Sequence, residues 1–181
     1  SPNMLPLIAI ATFGVAVLLF YVCGVIVNFT PSLPYGFYIK VSSKINSGDY
    51  VAFCLPSEYQ KIGLERKYLE AGKICNGSVP LVKKIIAVPY QQVSLANNFI
   101  VVDDKKLQFK TIKFDSNNRP LDSYPRGSYR LNCYWMIGSN DYLHSWDSRY
   151  WGCIASDRIL YKIKPLLTWE WRRPGCCHAG C

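Results

Sequence analysis

A serine set between prolines and a pair of lysines in an apolar run are the residues here most suited to covalent chemistry. Ser32 sits in Thr30-Pro31-Ser32-Leu33-Pro34-Tyr35-Gly36, directly after a long apolar stretch. Most serines in such turns bond nearby backbone. A hydroxyl just past an apolar segment would also face a peptide bond at a bilayer surface. The lysines lie in Leu81-Val82-Lys83-Lys84-Ile85-Ile86-Ala87-Val88-Pro89. In a strand, Lys83 shares a face with Leu81, Ile85 and Ala87, and Lys84 shares one with Val82, Ile86 and Val88. Both faces are otherwise apolar, so the pattern predicts at least one partly buried amino group. Burial disfavours the ammonium form and lowers a lysine pKa, which is what a lysine base for a hydroxyl requires. The competing reading is an edge strand that carries lysines to discourage strand addition.

A third segment, 137–152 (IGSNDYLHSWDSRYWG), packs polar groups between a strand-like run and aromatics. Such density predicts a buried hydrogen-bond network, with a surface loop as the alternative. Asp147 and Arg149 are spaced to pair, and Ser145 to reach a neighbouring amine. His144 adjoins them, but no carboxylate is evidently placed to orient it as a base. The terminal Cys176-Cys177-His178-x-x-Cys181 invites a metal reading. Its ligands are crowded and lack a second pair elsewhere, so it reads as a tail with no metal bound.

These residues need elements to hold them. Positions 1–39 carry no charged side chain, and Met4 to Phe29 is almost unbroken apolar sequence. As one helix it would be roughly 39 Å long, enough to span a bilayer with some tilt. The run is too long for a cleavable leader, and no basic segment precedes it. The prolines after Phe29 end the helix. Short β-favouring runs follow at 35–41, 50–55, 81–88, 92–95, 99–102, 129–137 and 159–163, separated by turn residues such as Asn46-Ser47-Gly48-Asp49. Between Pro56 and Gly72 the pattern turns helical, with a Ser57/Gln60 capping box and Gly72 as the stop. The expectation is an all-β, mostly antiparallel domain with one short helical excursion, behind an N-terminal transmembrane helix. The divisions are an anchor over 1–29, a β domain over 30–169 and a Cys-rich tail over 170–181.

The net charge of +9 falls wholly after the apolar stretch. Tethering makes anionic lipid headgroups the nearest partner for a basic surface. No basic tract with interleaved aromatics argues for nucleic acid. Four of the eight cysteines, Cys54, Cys75, Cys133 and Cys153, lie in the domain body. Beyond an anchor they fit an oxidising compartment and up to two disulfides, against the alternative of buried thiols. A Cys54–Cys75 bridge would close a loop of about 20 residues, worth on the order of 3 kcal/mol.

Taken in order, these motifs carry a resemblance. Ser-x-Pro-x-Gly behind an anchor, Gly48-Asp49-Tyr50-Val51, Lys-Lys-Ile-Ile-Ala-Val-Pro, and then Gly-x-Asn followed by Ser-x-Asp-Ser-Arg-Tyr-Trp-Gly resemble the type I signal peptidase (leader peptidase) family from about Thr30 to Tyr161. The box Ser145 to Gly152 is the most specific part. Cys54-Leu55-Pro56, Gly72-Lys73-Ile74-Cys75 and the compact length look in particular like the TraF-type peptidases of conjugative transfer systems. That resemblance implies a serine endopeptidase without cofactor, with Ser32 as nucleophile and Lys83 as general base. Ser145 would orient the lysine, Asp147 and Arg149 would support the site, and Thr30 with the Ser32 N–H would form the oxyanion hole. It implies a bacterial inner-membrane protein with a periplasmic domain. The substrate would be a pre-pilin or other exported preprotein with small residues before the cut, and the partner a conjugative transfer apparatus. Circularisation of the pilin would be a variant outcome. A housekeeping signal peptidase and a non-enzymatic anchored scaffold are the rivals. The chain departs from the family pattern at Ser139, where an Asp is expected, and at Tyr90-Gln91 after Pro89, and it has one extra residue between Gly138 and Ser145.

Overall fold

The computed structural model describes residues 4–29, 33–139 and 142–169. In chain order the elements are α1 (Met4–Val22), β1 (Val25–Asn28), β2 (Tyr35–Val41), β3 (Tyr50–Phe53), α2 (Ser57–Glu65), β4 (Ala71–Gly72), β5 (Gly77–Ser78), β6 (Leu81–Ala87), β7 (Val93–Leu95), β8 (Ile100–Val102), β9 (Lys105–Leu107), β10 (Gly127–Tyr129), β11 (Trp135–Ile137), α3 (Ser148–Trp151) and β12 (Ile159–Trp169). Every strand pairing is antiparallel. The main sheet runs β1-β2-β12-β3-β6-β11, a second runs β10-β7-β8-β9, and β4-β5 is a small ribbon. The mostly antiparallel β architecture is as expected.

The apolar N-terminal run does not form one helix. α1 ends at Val22, and Gly24 takes φ +66°, a left-handed conformation that glycine adopts without Cβ strain, while its N–H donates to Tyr21 O at 3.1 Å. The β-branched Val25, Ile26 and Val27 then pair with β2, from Val25 opposite Ile39 to Asn28 opposite Gly36. Part of the expected span is therefore sheet. The 19 residues of α1 rise about 28 Å, against a hydrocarbon core of roughly 30 Å. Among the described residues no helix is long and apolar enough to cross a membrane.

The expected helix between Pro56 and Gly72 is shorter than its pattern. α2 stops at Glu65, Lys67 turns to φ +59°, and Gly72 belongs to β4. The Ser57/Gln60 capping box does not form: Pro56 is the N-cap, without a side-chain cap bond. Gln60 instead donates to Cys75 O and to Ser78 Oγ, the latter at 3.0 Å, and so ties α2 to β5. The run expected over 129–137 divides between the two sheets, as β10 and β11. Between them Arg130 Nε donates to Tyr90 O at 2.9 Å, and Tyr90 N–H to Leu131 O at 2.9 Å. The tail over 170–181 lies outside the described residues.

β6 is buried on both sides. One core cluster joins Val51, Phe53, Ile85, Met136, Tyr150, Trp151 and Ile154. A second joins Ile86, Val93, Ile100, Trp135 and Ile137 and bonds the two sheets into one body. A third, Leu33, Tyr38 and Ile163, has Val82 packed against it. All four domain cysteines are bridged, Cys54 to Cys75 and Cys133 to Cys153.

Candidate active site

β6 delivers Lys83 to the interior, between paired neighbours: Val51 stands opposite on β3, and Ile85, two residues on, stands opposite Met136 of β11. Of the two lysines whose roles the alternation left open, Lys83 is the buried one, 2% exposed, while Lys84 is partly exposed. Its Nζ donates to Ser145 Oγ at 2.8 Å. Burial brings its pKa down from 10.5 to about 8; the Asp147 carboxylate acts to raise it and the Arg149 guanidinium to lower it. An amine in that range is about half neutral near pH 8 and mostly protonated at lower pH, and the neutral form's lone pair can take a proton.

The loop that brings Ser145 to Lys83 is built on Asp147. This carboxylate has no solvent exposure, caps α3 by accepting the Arg149 backbone N–H at 3.2 Å, and accepts the Gly138 N–H at 3.1 Å. Arg149 grips it through two nitrogens, Nε to Oδ1 and Nη2 to Oδ2, each at 2.8 Å. The remaining guanidinium hydrogens reach carbonyls: Nη2 donates to Ser145 O at 3.0 Å and to Tyr142 O, and Nη1 to Lys110 O. Burial acts to lower the Arg149 pKa, but Asp147 and the neighbouring tyrosines more than offset it, and the group is raised above its ordinary value. The ion pair thus fixes the backbone of the residue whose hydroxyl meets the lysine. Gly152 closes α3 at φ +80°, where an added Cβ would lie 2.4 Å from the Tyr124 ring.

The structure brings together Lys83, Ser145, Asp147 and Arg149. Ser32 and Thr30 lie outside the described residues. Their flanks are anchored: Leu33 is fully buried, and Asn28 Nδ2 donates to Leu33 O at 3.3 Å and Pro34 O at 3.1 Å. His144 lines a small pocket with Ser145, Tyr68 and Asp115. Among the described residues no group of three or more His, Cys, Asp or Glu side chains could hold a metal.

Two polar positions escaped the sequence reading. Ser148, with no exposure, accepts the Met136 N–H at 2.9 Å and joins α3 to β11; its place beside Asp147 in the dense polar box is the available signal. Lys162, 6% exposed, pairs with Asp49 at 2.5 Å and donates to Lys44 O at 2.9 Å, which pins the turn between β2 and β3. Nothing in the local sequence marks it.

Residues 2–168 match the family described as signal peptidase, peptidase S26. The chain belongs to the S26 signal peptidase family. The family is one of serine peptidases, and the resemblance drawn from the motifs is borne out. A plasmid transfer protein TraF of Escherichia coli is 34% identical over 167 residues, covering 86% of this chain and 92% of that protein. A second TraF from the same species is 32% identical, covering 82% and 86%. The conjugal transfer protein TraF of Agrobacterium fabrum is 31% identical, covering 81% and 84%. Among solved structures, a signal peptidase I from Enterococcus faecalis matches 71% of this chain and 100% of its own at 16% identity, with a TM-score of 0.37.

Proposed function

We propose that this S26 member is a membrane-anchored serine endopeptidase in which neutral Lys83 activates Ser32, and that it matures the pilin of a conjugative transfer system. The observation that carries the reading is a lysine amine 2% exposed, held at 2.8 Å by a serine hydroxyl and depressed to about 8. No stability argument favours burying such a group, so a catalytic use explains it better. Ser32 is supported by its neighbours: Leu33 lies in the cluster against which Val82, next to Lys83 in sequence, is packed.

In the proposed reaction, Lys83 Nζ takes the Ser32 hydroxyl proton as the oxygen attacks the scissile carbonyl. The oxyanion is met by the Ser32 N–H and the Thr30 hydroxyl. The lysine ammonium then protonates the departing amine as the C–N bond breaks. Water, deprotonated by Lys83, resolves the ester; a substrate amine doing so would join two peptide ends. Ser145 and the Asp147–Arg149 pair hold Lys83 in place. The TraF relatives favour conjugative transfer over general secretion as the setting.

Anchoring in the inner membrane is supported by α1, which has no charged residue and exposes Leu7, Ile8, Ile10, Phe13, Val17 and Leu18. A short apolar helix is accommodated by local thinning of the bilayer. The two disulfides fit a periplasmic domain. The test is cleavage of a pre-pilin by the purified full-length chain and its Ser32→Ala variant. Complete loss of processing with an unchanged unfolding temperature is expected; substantial residual cleavage would overturn the assignment.

A further inference from the structure

Ser145 is held from two sides, and the Asp147–Arg149 pair accounts for one of them, through Arg149 Nη2 to Ser145 O at 3.0 Å. On the other side the next residue, Trp146, turns toward α2. Its six-membered ring lies against the backbone of that helix at Gly63, which is buried. A Cβ added to Gly63 would stand 2.9 Å from Trp146 Cζ3 and 2.7 Å from Leu69 Cδ1. Ordinary carbon contacts lie at about 3.5–4.0 Å, so the seat has no room for a side chain. Glycine is a poor helix former, and this close approach gives it a reason to stand inside α2. The seat is braced. Tyr68 and Leu69 N–H both donate to Gly63 O, at 2.7 and 3.0 Å, and close the last turn of α2. The Tyr68 ring meets Trp146 at 5.1 Å between centroids, and its hydroxyl donates to Asp115, which Arg119 Nε holds at 2.7 Å.

Beneath Ser145 the packing is open. A pocket of about 70 Å³ is lined by Ser145, Trp146, Tyr68, Tyr150, Ile112 and Leu143, so the loop has space into which it could sink. The backbone bond from Ser145 N–H to Tyr142 O is 3.4 Å, longer than a well-made one, and restrains it weakly. Trp146, wedged between Gly63 and Tyr68, opposes that movement. We propose that Trp146 is a positioning residue, seated on Gly63, that keeps Ser145 Oγ at 2.8 Å from Lys83 Nζ and makes α2 part of the catalytic support. The inference rests on the peptidase reading for its effect on rate. It adds to that reading a helix remote in sequence from the polar box.

The experiment uses the full-length chain in detergent micelles, a fluorogenic peptide with Ala-x-Ala before the cut, and a temperature well below unfolding. In Gly63→Ala the indole must yield by about 0.6–1 Å to restore ordinary contact. A displacement of that size passed on to Ser145 is expected to lower kcat by roughly 10- to 100-fold, with KM within about twofold because substrate contacts are untouched. Adding Trp146→Phe, which withdraws the outer part of the ring, is expected to recover most of the lost kcat. Val93→Ala, at a fully buried position in the second core cluster, should lower the unfolding temperature and leave kcat unchanged. If Gly63→Ala yields no folded protein, Trp146→Leu, which removes the wedge, carries the same expected loss of kcat at constant KM. The inference alone is overturned by a kcat for the folded variant within twofold of wild type, by a double variant no faster than Gly63→Ala, or by an equal loss in Val93→Ala. Failure of the unsubstituted chain to cleave any peptide overturns the peptidase reading and the inference with it.

Discussion

Replacing Lys83 with Met should abolish activity and yet make the protein more stable at neutral pH. The drop of the Lys83 pKa from 10.5 to about 8 is worth roughly 3 kcal/mol at 1.36 kcal/mol per pKa unit. Below pH 8 both folded and unfolded chains hold the proton, and the folded state bears that whole cost. Between about 8 and 10.5 the unfolded chain binds more protons than the folded one, so stability rises with pH through this window and the cost is gone above it. Methionine fills nearly the same space without a charge, but it leaves Ser145 Oγ without its donor, a loss of about 1 kcal/mol. The net gain for Lys83→Met is then about 2 kcal/mol at pH 6–7. It should shrink through the alkaline range and change sign once the wild-type lysine is neutral. Urea unfolding of both proteins in micelles, at intervals from pH 6 to 10, reads this directly, because titration of every other group cancels in the difference. A difference that stays constant with pH, or a variant less stable by the same amount throughout, would refute a desolvated amine at this position.

Asp147→Asn should cost about 3–5 kcal/mol, because it leaves the 2%-exposed Arg149 without its counter-charge, and should lower the unfolding temperature by about 10 °C in calorimetry. In the protein that remains folded, the pH at half-maximal activity should move to the acid side, since Asp147 acts to raise the Lys83 pKa; an alkaline move would contradict the electrostatic account. Removing the Cys54–Cys75 bridge, whose partners are 21 residues apart, by the double Ser substitution should cost on the order of 3 kcal/mol in urea while cleavage persists at low temperature.

Much of this arrangement is legible in the sequence. The strand 35–41 has the expected bounds, because alternation and flanking turns agree there. The box from Ser145 to Gly152 folds as the buried network that its polar density implied. Alternation alone could not choose between Lys83 and Lys84, since both faces of β6 are apolar; the choice follows from which face meets Asp147 and α3. The N-terminal run reads as one helix because an unbroken apolar stretch has no period to separate helix from buried strand, and only Gly24 marks the change. The short strands β4, β5, β9 and β10 were missed or merged for a related reason: two or three residues are too few to show alternation. Lys162 with Asp49 was invisible because the partners are far apart in sequence and meet only when β12 enters the sheet beside β3.

The most direct test is the rate at which Ser32 becomes acylated by substrate, followed by rapid quench and peptide mapping in wild type and Lys83→Met between pH 6 and 10. The expected result is an ester on Ser32 whose formation rises with pH through a midpoint near 8 in wild type and is lost in the variant. An adduct on another residue, a pH-independent rate, or equal acylation without the lysine would contradict it.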